Sequence, residues 1–191
     1  MFNVLIARLG YFVVRKVSNW PISIIVLHWL MALIIVGLYI LGDYMVGLDY
    51  YDPWYQSAPF WHKSFGLLVV LLMVLRVGVR LSTKAPENQE PKRFNRLAAT
   101  AVHFGLYGLV VVICVSGFLI SSADGRAVSF FDLFDVASPG ALIDNQEDVA
   151  GVWHERAGLA ILFLAGLHAL AAMKHHFIDR DRVLKRMLGL D

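Results

Sequence analysis

Residues 151–177 read GVWHERAGLAILFLAGLHALAAMKHHF, a run long and apolar enough to cross a bilayer, yet carrying His154 near its start and His168 deep inside it. A hydrocarbon core asks for about 20 apolar residues. The apolar positions here are continuous and do not alternate as barrel strands do, so the segment reads as a helix whose amides pair within themselves. A polar ring inside hydrocarbon is costly and calls for a reason. The fourteen residues between His154 and His168 correspond to about four turns and roughly 21 Å of rise, about 40° short of whole turns. The two rings therefore share one face of the helix, and a slight left-handed bundle twist removes most of the offset.

Three further runs of spanning length lie upstream, at about 22–48, 60–81 and 96–121. The whole chain is 191 residues, 58% hydrophobic, with a mean hydropathy of +0.62, too apolar for an ordinary soluble domain. The expected architecture is one all-α domain over residues 1–191, a transmembrane four-helix bundle.

Charge predicts its orientation. Arg8, Arg15, Lys16, Arg76, Arg80, Lys84, Lys92, Arg93, Arg96, Lys174, Arg180, Arg182, Lys185 and Arg186 fall on one side if the helices alternate, fourteen of the seventeen basic residues. Lys63, Arg126 and Arg156 remain on the other, among Asp43, Asp49, Asp52, Asp124, Asp132, Asp135, Asp144, Glu147 and Asp148. The positive-inside rule then makes both termini cytoplasmic and the chain multi-pass. The net charge of +2 needs no nucleic-acid partner, because the basic residues mark topology. The apolar run from Val4 to Val14 lacks a preceding basic region and a cleavage site, so it reads as a helix at the inner surface and not as a signal peptide. Pro21 suits the first turn of the first span. Of the two outer connections, Asp49 to Tyr55 is a short aromatic interface loop. Residues 122–150 are long and acidic, broken by Pro139-Gly140, and placed to cover an outer site.

The chemistry lies in the histidines. With the helices alternating in direction, His28, His103 and His168 fall in the cytoplasmic half, and His62 and His154 near the outer surface. His28 is level with His168, and His62 with His154. A single membrane histidine is usually a hydrogen-bonded polar group, but two depth-matched pairs point to iron held between imidazoles. Each pair fills both axial positions of one haem, which suits electron transfer. The chain has one cysteine, Cys114, and no Cys-x-x-Cys-His, so the haem is b-type and non-covalent. His103 is left without an opposite number and reads as a haem neighbour. Gly37, Gly66, Gly117, Gly158 and Gly166 are candidates for letting a porphyrin pass the backbone, or for plain helix packing. Arg76 and Arg80 inside, with Arg126 and Arg156 outside, are candidate propionate partners. His175 and His176 close the fourth helix among basic residues, where solvent or a quinone head group satisfies them. No nucleotide-binding fingerprint is present.

The runs Leu27-His28-Trp29-Leu30, Trp61-His62-Lys63-Ser64-Phe65-Gly66, Val152-Trp153-His154-Glu155, Gly166-Leu167-His168-Ala169 and Lys174-His175-His176-Phe177 resemble the bacterial cytochrome b561 family, in order and over nearly all the chain from about residue 20. The resemblance implies a dihaem cytochrome of the bacterial inner membrane, embedded in lipid. Its two haem b groups would be held by His28 with His168 and by His62 with His154. It also implies ubiquinone as a redox partner, and for some members a superoxide oxidase activity. Lys63, Arg126 and Arg156 are the charges available to attract an outer anion, against acidic outer loops. The expected route runs from a periplasmic-side donor, a small molecule or a partner protein, through both haems to quinone near His175 and Arg76. Two other classes fit less of the sequence. A cytochrome b subunit of a larger dehydrogenase or hydrogenase shares the four-helix plan. A small transporter would want paired intramembrane carboxylates, whereas Asp43 and Glu155 sit near the outer surface.

Overall fold

A computed structural model of the protein describes residues 19–86 and 93–190. The expected surface helix at Val4 to Val14 lies outside the described residues, as do Arg8, Arg15, Lys16 and Lys92. Four long helices form the body: α1 (Ile22–Val46), α2 (Ser57–Ser82), α3 (Arg93–Ser122) and α4 (Gln146–Phe177). All four are long and apolar enough to span a bilayer. A two-stranded hairpin, β1 (Val128–Phe130) and β2 (Phe134–Val136), lies between α3 and α4, and a short α5 (Val183–Leu188) follows.

The outward faces are lipid-like. Leu33, Val74, Phe104 and Phe163, one on each span, are 70%, 65%, 75% and 70% exposed, an apolar surface that suits lipid contact on helices of spanning length. The inner face is thin: Met31, Val69, Val110 and Ile161, again one per helix, form a central buried layer with Ile34, Leu38, Leu72 and Leu106 packed around it. The layer lies midway along the bundle, between the two levels at which histidines occur. α1 packs chiefly on α2, and α3 chiefly on α4; the two helical hairpins meet more sparsely through α2 and α3, while the backbones of α1 and α4 stay apart and meet through side chains. The bundle is thus two tight helical pairs that meet through the central layer.

The helix ends differ from the sequence expectation for identifiable reasons. α4 begins at Gln146, five residues before its apolar run, because Glu147 and Asp148 in its first turn suit the positive end of the helix dipole. The buried Gln146 side chain ties that turn down, accepting from the Leu142 N–H at 2.8 Å and donating to the Leu119 carbonyl at 2.9 Å. α2 begins at Ser57, with Pro59 in its first turn, where its missing N–H costs nothing. Pro21 stands one residue outside α1 as its N-cap, its carbonyl accepting from Ile24 N–H at 3.0 Å.

The hairpin was not expected, since VSFFDLFDV carries no Asn-Gly or Asp-Gly turn. Its turn residues Phe131 and Asp132 are both left-handed (φ 51° and 56°), a conformation costing roughly 1–2 kcal/mol per non-glycine residue. Tertiary anchoring holds it. The fully buried Ser64 on α2 accepts from the Phe131 N–H at 3.1 Å, and the Phe131 ring lies edge-on to Phe65 (5.1 Å between centroids) and beside Trp61 (6.0 Å). The 122–150 connection is thereby fixed over the end of α2 that carries His62.

The candidate haem centre

Each helix places its polar residue by the same arithmetic. On α4, His154 and His168 are fourteen residues apart; so are His28 and Gly42 on α1, His62 and Arg76 on α2, and His103 and Gly117 on α3. Fourteen residues bring a helix back to nearly the same face about 21 Å further along. The helix directions alternate, so one level collects His28, Arg76, His103 and His168 near the basic end of the bundle. The other collects Gly42, His62, Gly117 and His154 near the acidic end.

At the acidic-end level the rings of His62 and His154 lie 6.0 Å apart, centroid to centroid, at 68°. At the basic-end level His28 and His168 lie 6.3 Å apart at 75°. A metal-bound imidazole nitrogen sits about 2.0–2.1 Å from its ion and the ring centre roughly 1 Å behind it, so rings on opposite sides of one iron stand roughly 6 Å apart. Both pairs meet that spacing. By that spacing the residues at each level fit the axial pair of a haem.

The surroundings of the two pairs differ. Nδ1 of His154 is 3.0 Å from the Ile113 carbonyl and 3.2 Å from Ser116 Oγ. A Cβ on Gly117 would lie 2.9 Å from Cε1 of that ring, so only glycine admits it. Gly42 does the same for His62, with 3.1 Å from a Cβ to Cε1. Of the five glycines expected to matter, Gly117 is the one pressed on a histidine. Gly158 faces the Tyr39 ring at 3.7 Å, and Gly37, Gly66 and Gly166 meet open space. Gly42 was missed; its signal was the fourteen-residue step from His28.

At the basic-end level His103 comes within 5.2 Å of His168 at 66°. That is too short for a shared iron, so His103 stands beside the pair as a neighbour. Arg76 is committed to its own scaffold: Nε donates to the Tyr107 hydroxyl at 2.9 Å and Nη1 to the Ile24 carbonyl at 3.2 Å, joining α2 to α3 and α1. Arg80 stacks on the Trp20 ring at 5.2 Å, an anchor at the bundle end.

Beyond α4 the chain folds back. The Trp29 indole N–H donates to the Met187 carbonyl at 2.7 Å, and Ile25 lies against Gly189, which seats α5 on α1 next to His28. The turn between α4 and α5 holds His175, whose Nδ1 lies 2.6 Å from Asp181 Oδ2 and 3.3 Å from Asp179 Oδ2, with Lys174 Nζ 2.6 Å from the same Asp179 oxygen.

Toward the acidic end, Lys63 lines an open cleft of about 200 Å³ with Gln56, Pro59, Phe60 and β1. Arg126 is paired instead with Asp124, Nε to Oδ2 at 2.6 Å. That guanidinium holds the Asp124 carboxyl below its ordinary range. Arg156 is exposed on α4 two residues beyond His154, so Lys63 beside His62 and Arg156 beside His154 are the outer cations next to the histidines.

Two stacked imidazole pairs inside an antiparallel membrane bundle define a membrane b-type cytochrome built for electron transfer. Comparison with known proteins agrees. The model of the prokaryotic cytochrome b561 family matches residues 19–190, and the chain belongs to that family. It is 45% identical to cytochrome b561 homolog 2 of Escherichia coli strain K12 over 165 residues, 85% of this chain and 87% of that one. It is 29% identical to a cytochrome b562 of Cereibacter sphaeroides over 170 residues, 86% and 91% of the two chains. It is 28% identical to a probable superoxide oxidase of Yersinia pestis over 139 residues, 72% and 77%.

Proposed function

We propose that this cytochrome binds two haem b groups, one between His62 and His154 and one between His28 and His168, and carries electrons between an outer donor and ubiquinone. The observation that carries the reading is the pair of imidazole spacings, 6.0 and 6.3 Å, stacked at two levels of one bundle. Haem iron held between two imidazoles supplies reversible one-electron chemistry and no open position for oxygen. The protein's part is to keep the four rings facing, to exclude water with the central layer around Met31 and Ile161, and to hold the levels about 21 Å apart. By the positive-inside rule the basic end is cytoplasmic and the acidic end periplasmic, in the bacterial inner membrane.

The pyridine haemochrome of the purified, detergent-solubilised protein should give two b-type haems per chain, with a low-spin reduced spectrum. No haem would overturn the assignment of both pairs, and a single haem would overturn the two-haem reading.

The quinone head group is placed at the cytoplasmic end near His175, where a ring paired with Asp181 can exchange a proton with a reduced quinone oxygen. Arg76 contributes charge to that end from about two turns further in, at the level of His168, while serving as a clamp. The donor is assigned to superoxide, supported by the name of the Yersinia pestis relative and by Lys63 in the cleft beside His62. One assay tests both ends: superoxide-driven reduction of a soluble ubiquinone analogue. The wild type should catalyse it, and His175→Ala should slow it by about 10²-fold or more, the usual range for losing a positioned acid or base. No superoxide-dependent reduction would remove superoxide as the donor, and an unchanged rate in the variant would remove His175 from the quinone site.

A further inference from the structure

We propose that Ser116 is a positioning residue for the acidic-end haem, accepting a hydrogen bond from Nδ1–H of His154 and thereby fixing that ligand's tautomer and lowering the haem's reduction potential. The proposal rests on the assignment of His62 and His154 as axial ligands.

The argument is one of proton counting. Ser116 Oγ donates its single proton back along its own helix, to the Val112 carbonyl at 2.6 Å, with the Ile113 carbonyl at 3.1 Å as the alternative. Toward His154 the oxygen can then only accept, across 3.2 Å. The Ile113 carbonyl, 3.0 Å from the same Nδ1, can only accept as well. Two acceptors converge on one ring nitrogen, so the proton resides on Nδ1 and the lone pair on Nε2, the nitrogen free to ligate.

An imidazole that gives its N–H to strong acceptors gains electron density and becomes a more basic ligand. More basic ligation favours the oxidised iron, which lowers the potential. The opposite ligand has backbone support only: His62 faces the Leu38 carbonyl on α1, the counterpart of the Ile113 carbonyl on α3. The second acceptor that distinguishes the α3–α4 side is the hydroxyl of Ser116, a serine that is itself buried.

Ser116→Ala should fold, because alanine is the best helix former and the lost hydroxyl bond runs to a carbonyl already used by the helix. The Ile113 carbonyl still holds the ring, so a shift is expected and not a loss of haem. The test is a spectroelectrochemical titration of the full-length protein in detergent, with the acidic-end wave identified as the one missing from His62→Ala. In Ser116→Ala that wave should move to higher potential while the basic-end wave stays; in Ser116→Thr, which keeps the hydroxyl, both should stay. An unmoved wave in Ser116→Ala with two haems bound overturns the proposal and leaves the haem assignment standing. So does an equal move of both waves, a Thr variant that behaves like Ala, or outright loss of the acidic-end haem in Ser116→Ala. A wild type with no acidic-end haem would overturn both readings together.

Discussion

His168→Ala should halve the haem content of the purified protein, removing the basic-end haem and leaving the other with its low-spin spectrum. His168 stands 6.3 Å from His28 and on a different level from His62 and His154. The layer of Met31, Val69, Val110 and Ile161 separates the two levels. Distant sites that share no partner respond independently, so the loss should be confined to one level. His103 does not rescue it in this arrangement. Its ring is in edge contact with His168 at 5.2 Å, beside the axial position that His168 takes and not in it. The mirror experiment, His154→Ala, should remove the acidic-end haem and spare the other. Haemochrome stoichiometry with electron paramagnetic resonance of the oxidised protein distinguishes the outcomes. Two intact low-spin signals in His168→Ala would refute the pairing, and loss of both would refute the independence of the levels.

Gly117→Ala should weaken the acidic-end haem selectively although it touches no iron ligand covalently. A helical side chain covers the turn N-terminal to its own Cα, which at position 117 is the turn bearing the Ile113 carbonyl. With no side chain there, His154 can reach that carbonyl at 3.0 Å. A methyl group would stand 2.9 Å from the ring's Cε1, so the ring must move. Overpacking of this kind costs about 1–3 kcal/mol, which corresponds to roughly five- to 150-fold weaker binding at about 1.4 kcal/mol per factor of ten. The check is acidic-end haem occupancy after extended washing in detergent, compared with Gly37→Ala, whose Cβ meets nothing within 4 Å. Equal retention by the two variants would show that His154 does not depend on the space Gly117 provides.

The spans and the histidine levels were legible in the sequence because both follow from local arithmetic. Apolar run length identifies a membrane helix, and 1.5 Å of rise per residue converts a position into a depth. The match of His28 with His168 and of His62 with His154 needed only alternating helices. The same fourteen-residue step also marks Arg76 and Gly117, expected on other grounds, and Gly42, which was not expected. The ends of the helices were less legible. Glu147 and Asp148 break the apolar run and yet belong to the first turn of α4, since a helix terminus welcomes the charges a bilayer core rejects.

The sequence by itself determined the membrane class, the four spans and which histidines share a depth. The tertiary structure alone decided what lies sideways at each depth. It turned Arg76 toward Tyr107 and Ile24, set His103 against His168 at less than a shared iron's spacing, paired Arg126 with Asp124, and closed the Phe131 turn onto Ser64. The physical reason is that depth is a property of one helix, read from its own repeat. Lateral contact depends on how helices rotate and pack against one another, which distant side chains settle together.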